Sequence, residues 1–378
     1  MQGAGRSDAP HVVRSLRMGL FSRTPPVSAL KRVLVLRYRF FGDTILTVPF
    51  LRNLRAALPD AKIDVLVAPR SGAMLTGCPF VDELIEYDTT RFHRYDGGTG
   101  KTGGFFGYAK LLRARRYDGV FLLKRSLTAA LLAFATGAKF RAGHATEGRS
   151  LLLTHRTPYD KHRHEVESTL DVLRTVGIPI VDDRLEAWPD PADVARLTTD
   201  VPELAKPGPK ILIHATAAVT YRQYPVERWA PVVRALVEED GAVLFYTGAA
   251  EDAPLYRELD RVAGIQGVHL AGKLAPRPSL ALYSRLDAAV GVDSGPMHMA
   301  AACGIPTVTL FGPTDPVRWK PWGPDHVALF DADLACRPCD YKMTCRNREC
   351  LTEFPPERLL EAARTALRTK RERAGRPV

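Results

Sequence analysis

The sequence predicts an α/β protein built from two doubly wound domains, and three observations lead there. Short apolar runs alternate with helical-period segments along both halves of the chain, the pattern of parallel strands joined by helices. Pro-rich stretches at Ala187–Asp193 and Pro202–Pro209 interrupt that alternation near the middle. The stretch Leu286–Gly312, LDAAVGVDSGPMHMAAACGIPTVTLFG, spells out one complete strand, turn, helix, turn, strand unit.

Residues 1–29 mix Arg, Pro, Ser and Gly without period and read as a mobile basic extension. Lys31–Arg37 (KRVLVLR) is a first buried strand. From Thr44 a helix places Ile45, Val48, Leu51, Leu54 and Leu58 on one face before Pro59 and Asp60 stop it. Ile63–Val67 follows as the second strand. Asp43 stands where that helix begins, which suits a helix cap and also faces the crevice where open α/β sheets bind ligands. Further strands are expected at Glu83–Tyr87 and Gly119–Leu123, with a helix over Gly107–Arg115 between them. Asp96–Gly104 (DGGTGKTGG) imitates a phosphate loop, but Tyr95 occupies a required glycine position and no apolar strand leads in. It reads as a flexible surface loop. Leu127–Ala138 is apolar but shorter than the ~18 residues a membrane span needs, so it is a buried helix. With a helix over Glu165–Val176, the first domain covers residues 30–190, and 191–209 form the linker.

The alternation restarts in a second domain, residues 210–352. Lys210–Ile213 is a strand, Val226–Glu239 a helix, and Val243–Tyr246 a strand followed by the Thr247-Gly248 turn and a helix through Leu259. Val268 and Leu270 lead to Ala271-Gly272-Lys273, and a helix spans Pro278–Arg285. In the Leu286–Gly312 unit, Asp293, Ser294 and Gly295 form the turn, Pro296 suits the first helical position, and Gly304 with Pro306 marks the stop. Two readings of the turn stand side by side. Its backbone N–H groups and the helix dipole make a seat for a diphosphate, or Asp293 or Ser294 merely caps the helix. His298 falls in the first turn, within reach of the same pocket. A last helix, Pro356–Arg371, lies in the closing segment 353–378 with its basic tail.

Composition agrees with a soluble two-domain protein: 378 residues, 46% hydrophobic and 25% charged. The net charge of +11 is concentrated in groups such as Arg91/His93/Arg94, Arg113/Arg115/Arg116 and Lys124/Arg125. That favours anionic partners, a phosphorylated glycolipid or the inner leaflet of a membrane. No nucleic-acid motif accompanies the charge, so no nucleic-acid partner is expected. Met18–Phe21 is too short for the apolar region of a signal peptide, and a cytoplasmic location is expected. Cys336-x2-Cys339-x5-Cys345-x4-Cys350 is a candidate four-sulfur structural site for zinc or iron, against the simpler reading of reduced, unliganded thiols. Cys78 and Cys303 read as packing residues.

Three segments carry a resemblance: LRYRFFGDTILTVPFLRNLR, HATAAVTYRQYPVERW and DSGPMHMAAACGIPTVTLFGPTDPVRWKPWG. Together they resemble the lipopolysaccharide heptosyltransferases, the family-nine glycosyltransferases, in order from about Lys31 to Leu360. The resemblance implies a GT-B type architecture of two facing Rossmann-like domains. It implies a nucleotide-sugar, usually ADP-heptose, in the C-terminal domain and an anionic glycolipid or glycan acceptor in the N-terminal one. It also implies inversion at the anomeric carbon and no cofactor for the chemistry. The family's Gly-Asp matches Gly42-Asp43 and makes Asp43 the expected general base. Its Asp-Ser/Thr-Gly-Pro-x-His matches Asp293, Ser294, Gly295, Pro296 and His298, expected around the diphosphate and sugar. Thr216 and Arg222 belong to the matching loop, where many relatives have Lys-x-Trp-Pro in place of Arg222-Gln223-Tyr224-Pro225. Thr247, Gly248 and Glu251 fall where relatives hold the ribose or sugar, and Gly272 and Lys273 near the nucleobase. The departures leave two alternatives, a transferase with another donor and acceptor and a non-catalytic two-lobed binder.

Overall fold

Runs such as Arg32–Leu36 (RVLVL) are apolar on both sides of the pleat, so the strands they form must be covered on both faces, which a parallel sheet flanked by helices provides. The computed structural model describes residues 24–38, 40–88, 104–340, 345 and 347–374. Most of the expected extension (1–23), the Arg91/His93/Arg94 group, the glycine-rich loop through residue 103, and residues 375–378 lie outside the described residues.

The first half carries β1 (Arg32–Leu36), β2 (Lys62–Val67), β3 (Glu83–Glu86), β4 (Gly119–Leu122), β5 (Phe140–His144) and β6 (His155–Thr157). They form one parallel sheet in the order β3-β2-β1-β4-β5-β6. Its helices are α1 (Phe41–Ile45), α2 (Val48–Ala57), α3 (Pro69–Gly72), α4 (Gly104–Ala114), α5 (Leu127–Ala135) and α6 (Glu165–Thr175). After α7 (Pro191–Asp200), the second half carries β7 (Lys210–His214), α8 (Val226–Glu238), β8 (Val243–Tyr246), α9 (Ala253–Ala263), β9 (Val268–His269), α10 (Pro276–Tyr283), β10 (Ala288–Val292), α11 (Gly295–Ala302), β11 (Thr307–Leu310), α12 (Pro316–Trp319), β12 (His326–Leu329), α13 (Glu349–Thr352) and α14 (Pro356–Ala374). This sheet is also parallel, in the order β12-β11-β10-β7-β8-β9.

The two orders are the same topology: in each half the first strand sits beside the fourth, and the chain winds outward in both directions from that pair. Crevices open outside the carboxyl ends of strands at such a switch point, between β1 and β4 in one half and between β7 and β10 in the other. The halves share apolar surface, because Ile45 and Met74 from the first pack in one cluster with Leu212, Leu280 and Met297 from the second.

Several elements differ from expectation. α5, expected as a buried helix, buries Ala129, Ala130, Leu132 and Ala133 but exposes Leu127, Leu131 and Phe134, because only one of its faces packs on the sheet. The helix expected from Thr44 is two, broken at Leu46 and Thr47, and Asp43 lies in the first turn of α1 while Phe40, with φ 63°, occupies the cap position. β5 and β6 (FRAGH, HRT) carry neither an apolar run nor a clean alternation, and β12 (HVAL) only a three-residue apolar run after a histidine, which hid them in the sequence. Within the segment expected as a linker, Asp190 caps α7 by accepting from Ala192 N, and Leu197 buries against the second half's core. A Pro-rich stretch can thus open a helix when its proline stands at the first helical position.

Candidate functional site at the facing switch points

β1 ends in a charged residue, Arg37, that is only 2% exposed. Each nitrogen of its guanidinium is engaged: Nε donates to the Asp43 carbonyl (3.2 Å), Nη1 to the Leu123 carbonyl (2.9 Å) and Nη2 to Glu165 Oε1 (2.9 Å). Asp43 Oδ1 stands 3.6 Å from Arg37 Nη2, an ion pair outside hydrogen-bond distance, and the Asp43 side chain keeps 18% of its exposure. Burial pushes the Asp43 carboxyl above its usual range, Arg37 opposes that, and the Glu165 charge adds to it.

Across the gap, Asp293 closes β10 and is buried. Its Oδ2 accepts from Thr314 Oγ1 (2.6 Å) and pairs with Arg222 Nη1 (3.3 Å) from the Thr220–Arg222 turn. Burial raises the Asp293 carboxyl while Arg222 and Thr314 pull it down. Neither Asp293 nor Ser294 caps α11, so the capping reading of this turn fails. Ser294 Oγ and His298 Nδ1 are instead buried without a hydrogen-bond partner among the described residues. Burial above all, with the neighbouring His164, His326 and Arg222 acting in the same direction, pushes His298 down to about 3, so its imidazole is neutral at ordinary pH. Two unsatisfied polar atoms at a helix N-terminus favour a bound anion that would accept from them.

The two turns touch. A Cβ built on Gly42 would lie 2.9 Å from His298 Cδ2 and 3.6 Å from Gly295 Cα. One on Gly295 would lie 3.5 Å from Gly42 N and Phe41 Cβ. The absence of side chains at these two positions is what lets α1 and α11 meet end to end, with Asp43 beside the Asp293–His298 turn.

The remaining expected residues form a second group at the ends of β7, β8 and β9. Thr216 is buried and hydrogen-bonds Asp252. The Thr247 hydroxyl pairs with Tyr283 Oη (2.8 Å), so it is engaged in the scaffold. Gly272 N donates to the Gly248 carbonyl (2.9 Å), and Gly272, with φ 76°, passes so close to Ala250 that a Cβ would lie 2.8 Å from it. The backbones of these loops are thereby held together. Glu251 and Lys273 are exposed at the rim.

The four cysteines do not form the expected metal site. Among the described residues no group of three or more His, Cys, Asp or Glu is arranged to hold a metal ion, and all four thiols are free. Cys350 packs in the core of the second half at α13, whereas Cys336 is exposed. Residues 341–344 and 346 of the intervening loop lie outside the described residues.

Sequence reasoning missed Thr314, Arg37, Glu165 and Arg318 as members of the site. A buried charge closing an apolar strand, as Arg37 closes KRVLVL, was the available signal, since such a charge requires a partner.

The arrangement has counterparts. Lipopolysaccharide heptosyltransferase 3 of Escherichia coli is 28% identical over 332 residues, 86% of this chain and 96% of its own length. Lipopolysaccharide heptosyltransferase 1 of Pseudomonas aeruginosa is 26% identical over 367 residues, 90% of this chain and 100% of its own. Among solved structures, a glycosyl transferase family 9 protein from Veillonella parvula superposes with TM-score 0.77 at 22% identity, covering 90% of this chain and 97% of that one. The E. coli ADP-heptose LPS heptosyltransferase II does so with TM-score 0.72 at 22% identity, covering 90% and 99%. These share the GT-B fold of two facing α/β halves. The model of glycosyltransferase family 9 (heptosyltransferase) matches residues 106–350, most of the chain and all of its second switch point, and the protein belongs to that family of glycosyltransferases.

Proposed function

We propose that this glycosyltransferase moves a heptosyl group from ADP-heptose to a hydroxyl of a lipopolysaccharide-core acceptor, inverting the anomeric centre without a metal ion in the chemistry. The observation that carries this reading is the contact of α1 with α11, which sets a carboxylate from one switch point against an anion seat at the other. Residues 30–190 receive the acceptor and 210–352 the donor. Asp43 takes the proton from the acceptor hydroxyl as that oxygen attacks the anomeric carbon and the bond to the diphosphate breaks. Burial supports the role by raising the basicity of Asp43 against the pull of Arg37. The departing diphosphate gains negative charge, which the α11 N-terminus, Ser294 Oγ, His298 and Arg222 are set to meet. Thr216, Thr247, Gly248, Gly272 and the rim residues Glu251 and Lys273 line the nucleoside and sugar end.

The experiment is transfer from ADP-heptose to a deacylated inner-core acceptor, with wild type and Asp43→Asn, following ADP release and the configuration of the new glycosidic bond by NMR. Product of inverted configuration, unaffected by chelator and lost in Asp43→Asn, is expected. Near-full kcat in that variant rules out the base role, and transfer only from another sugar nucleotide reassigns the donor.

Peripheral contact with the cytoplasmic face of the inner membrane belongs to the same proposal. Phe106, Leu111, Leu127, Leu131, Phe134 and Leu151 are exposed on α4, α5 and the following Glu147–Leu152 turn, with Lys110 and Arg113 exposed on α4 as well. Among the described residues no helix is long and apolar enough to cross a membrane. Co-sedimentation with phosphatidylglycerol vesicles, weakened in Phe106→Ser/Phe134→Ser, is expected; equal binding by the double variant discards this face.

A further inference from the structure

Glu165 opens α6 and is 1% exposed, yet three guanidinium groups converge on it. Oε1 accepts from Arg37 Nη2 (2.9 Å) and Arg125 Nη1 (3.2 Å); Oε2 accepts from Arg125 Nη2 (3.2 Å) and Arg318 Nη2 (3.1 Å). Arg37 and Arg125 belong to the first half, whereas Arg318 comes from α12 in the second. The Tyr159 ring lies under both Arg125 (4.6 Å) and Arg318 (5.7 Å). The neighbouring His164 adds a second bond across the halves. Its Nδ1 accepts from Val166 N, so Nε2 carries the proton and donates to the Lys320 carbonyl at 2.8 Å.

The Arg37 group that binds Glu165 is the same Nη2 that stands 3.6 Å from Asp43. Glu165 therefore holds that nitrogen at hydrogen-bond distance, while Asp43 is left beyond it. We infer that Glu165 is a positioning residue: it holds Arg37 back from Asp43, leaving that carboxylate open to an acceptor hydroxyl, and through Arg318 it makes this arrangement depend on the two halves being together. The inference rests on Asp43 being the base. Without Glu165, Arg37 closes on Asp43 as a direct ion pair, which occupies the carboxylate and weakens it as a base.

The charged groups that act on Asp43 are Arg37 just after β1, Lys124 and Arg125 after β4 and Glu165 at the start of α6, while from the opposite half the neutral His298 of α11 packs against the neighbouring Gly42. Three of the charged groups are cations and Glu165 is the anion that offsets them. Its own carboxyl would be raised by burial, but Arg37, Arg125 and Arg318 outweigh that and hold it down at about 2, so it stays charged throughout the working range.

The test is the pH dependence of kcat for wild type, Glu165→Asp, Glu165→Gln, Arg318→Gln and Asp43→Asn. Removing the Glu165 charge is expected to move the acid limb of the profile down by about half a pH unit or more and to lower the plateau about tenfold. Glu165→Asp, charged but one methylene too short to span Arg37 and Arg318, is expected between wild type and Gln, and serves alone if Gln does not fold. Arg318→Gln is expected to raise KM for the acceptor while the acid limb stays or moves up. A lowered Tm in the Glu165 variants with an unmoved limb and plateau overturns the inference, leaving Glu165 a structural ion-pair centre. An unchanged KM in Arg318→Gln overturns its dependence on closure. Retained kcat in Asp43→Asn instead defeats the base reading itself, whatever the Glu165 variants do.

Discussion

Replacing Gly42 by Ala tests whether the two halves must meet at α1 and α11 for transfer to occur. Gly42 lies within α1 and Ala is the stronger helix former, so the first half should fold at least as well as before. The added methyl, however, would lie 2.9 Å from His298 Cδ2 on the other half. Carbon atoms in contact stand about 3.5–4.0 Å apart, so the shortfall is at least about 0.6 Å. His298 is only 5% exposed and has little room to retreat, which leaves separation of the halves as the relief. Overpacking of this kind costs about 1–3 kcal/mol, and here the cost falls on the closed arrangement alone. In rate that is roughly 5- to 150-fold. The assay is kcat/KM for acceptor-dependent ADP release, with Tm and the Kd for ADP measured in parallel. Gly42→Ala is expected to lose activity within that range while Tm and Kd hold. A kcat/KM within twofold of wild type would refute the claim that this contact forms during turnover.

Arg222→Ala leaves Asp293, whose side chain is 6% exposed, without its cation; because Arg222 is itself 28% exposed, the stability loss is expected at only about 1–2 kcal/mol, alongside weaker ADP binding by calorimetry. Thr314→Val removes the 2.6 Å bond to the same carboxylate and is expected to lower the Kd-derived affinity for ADP with a Tm loss corresponding to about 1 kcal/mol; unchanged affinity separates Thr314 from the site. With its imidazole pushed down to about 3, His298 stays neutral through the ordinary histidine range, so the ratio of ADP affinities between wild type and His298→Gln is expected to be flat from about pH 5 to 8. A ratio that grows on acidification would show an imidazolium in contact with the phosphates. Glu165 has a folded pKa below its unfolded one, so the stability it supplies is present above the usual carboxylate range and drains away as pH falls from 4.5 toward about 2. Chemical denaturation of Glu165→Gln is expected to show a smaller change across that window than wild type.

The parts of this protein that were legible in the sequence are those in which local pattern and tertiary role coincide. β1, β2, β7 and β10 sit at or next to the switch points, are covered on both faces and so had to be written as apolar runs. The turns after them had to carry Gly42, Gly295 and the polar residues between, because the chain reverses there at the mouth of each crevice. β6 and β12, at the sheet edges, are under no such demand, and HRT has no strand signal while HVAL has only a short one. The cysteine cluster shows the limit of spacing: it left a common metal centre and free thiols both open, and in the structure the thiols are free, with Cys350 packed among apolar residues.

What the sequence could not show is how one charge restrains another across long separations. Arg37, Arg125 and Arg318 lie 128, 40 and 153 residues from Glu165, and nothing at any of the four positions announces the others. A buried carboxylate is tolerable only because the guanidinium groups are there, two from the first half and Arg318 from the second. That dependence makes the cluster invisible to any local reading of the chain. It also gives the cluster a property that a capped helix or a packed strand lacks: Arg318, one of the three partners of Glu165, comes from the opposite half, so under the inference above the restraint on Arg37, and with it the freedom of Asp43, is completed only where the two halves meet.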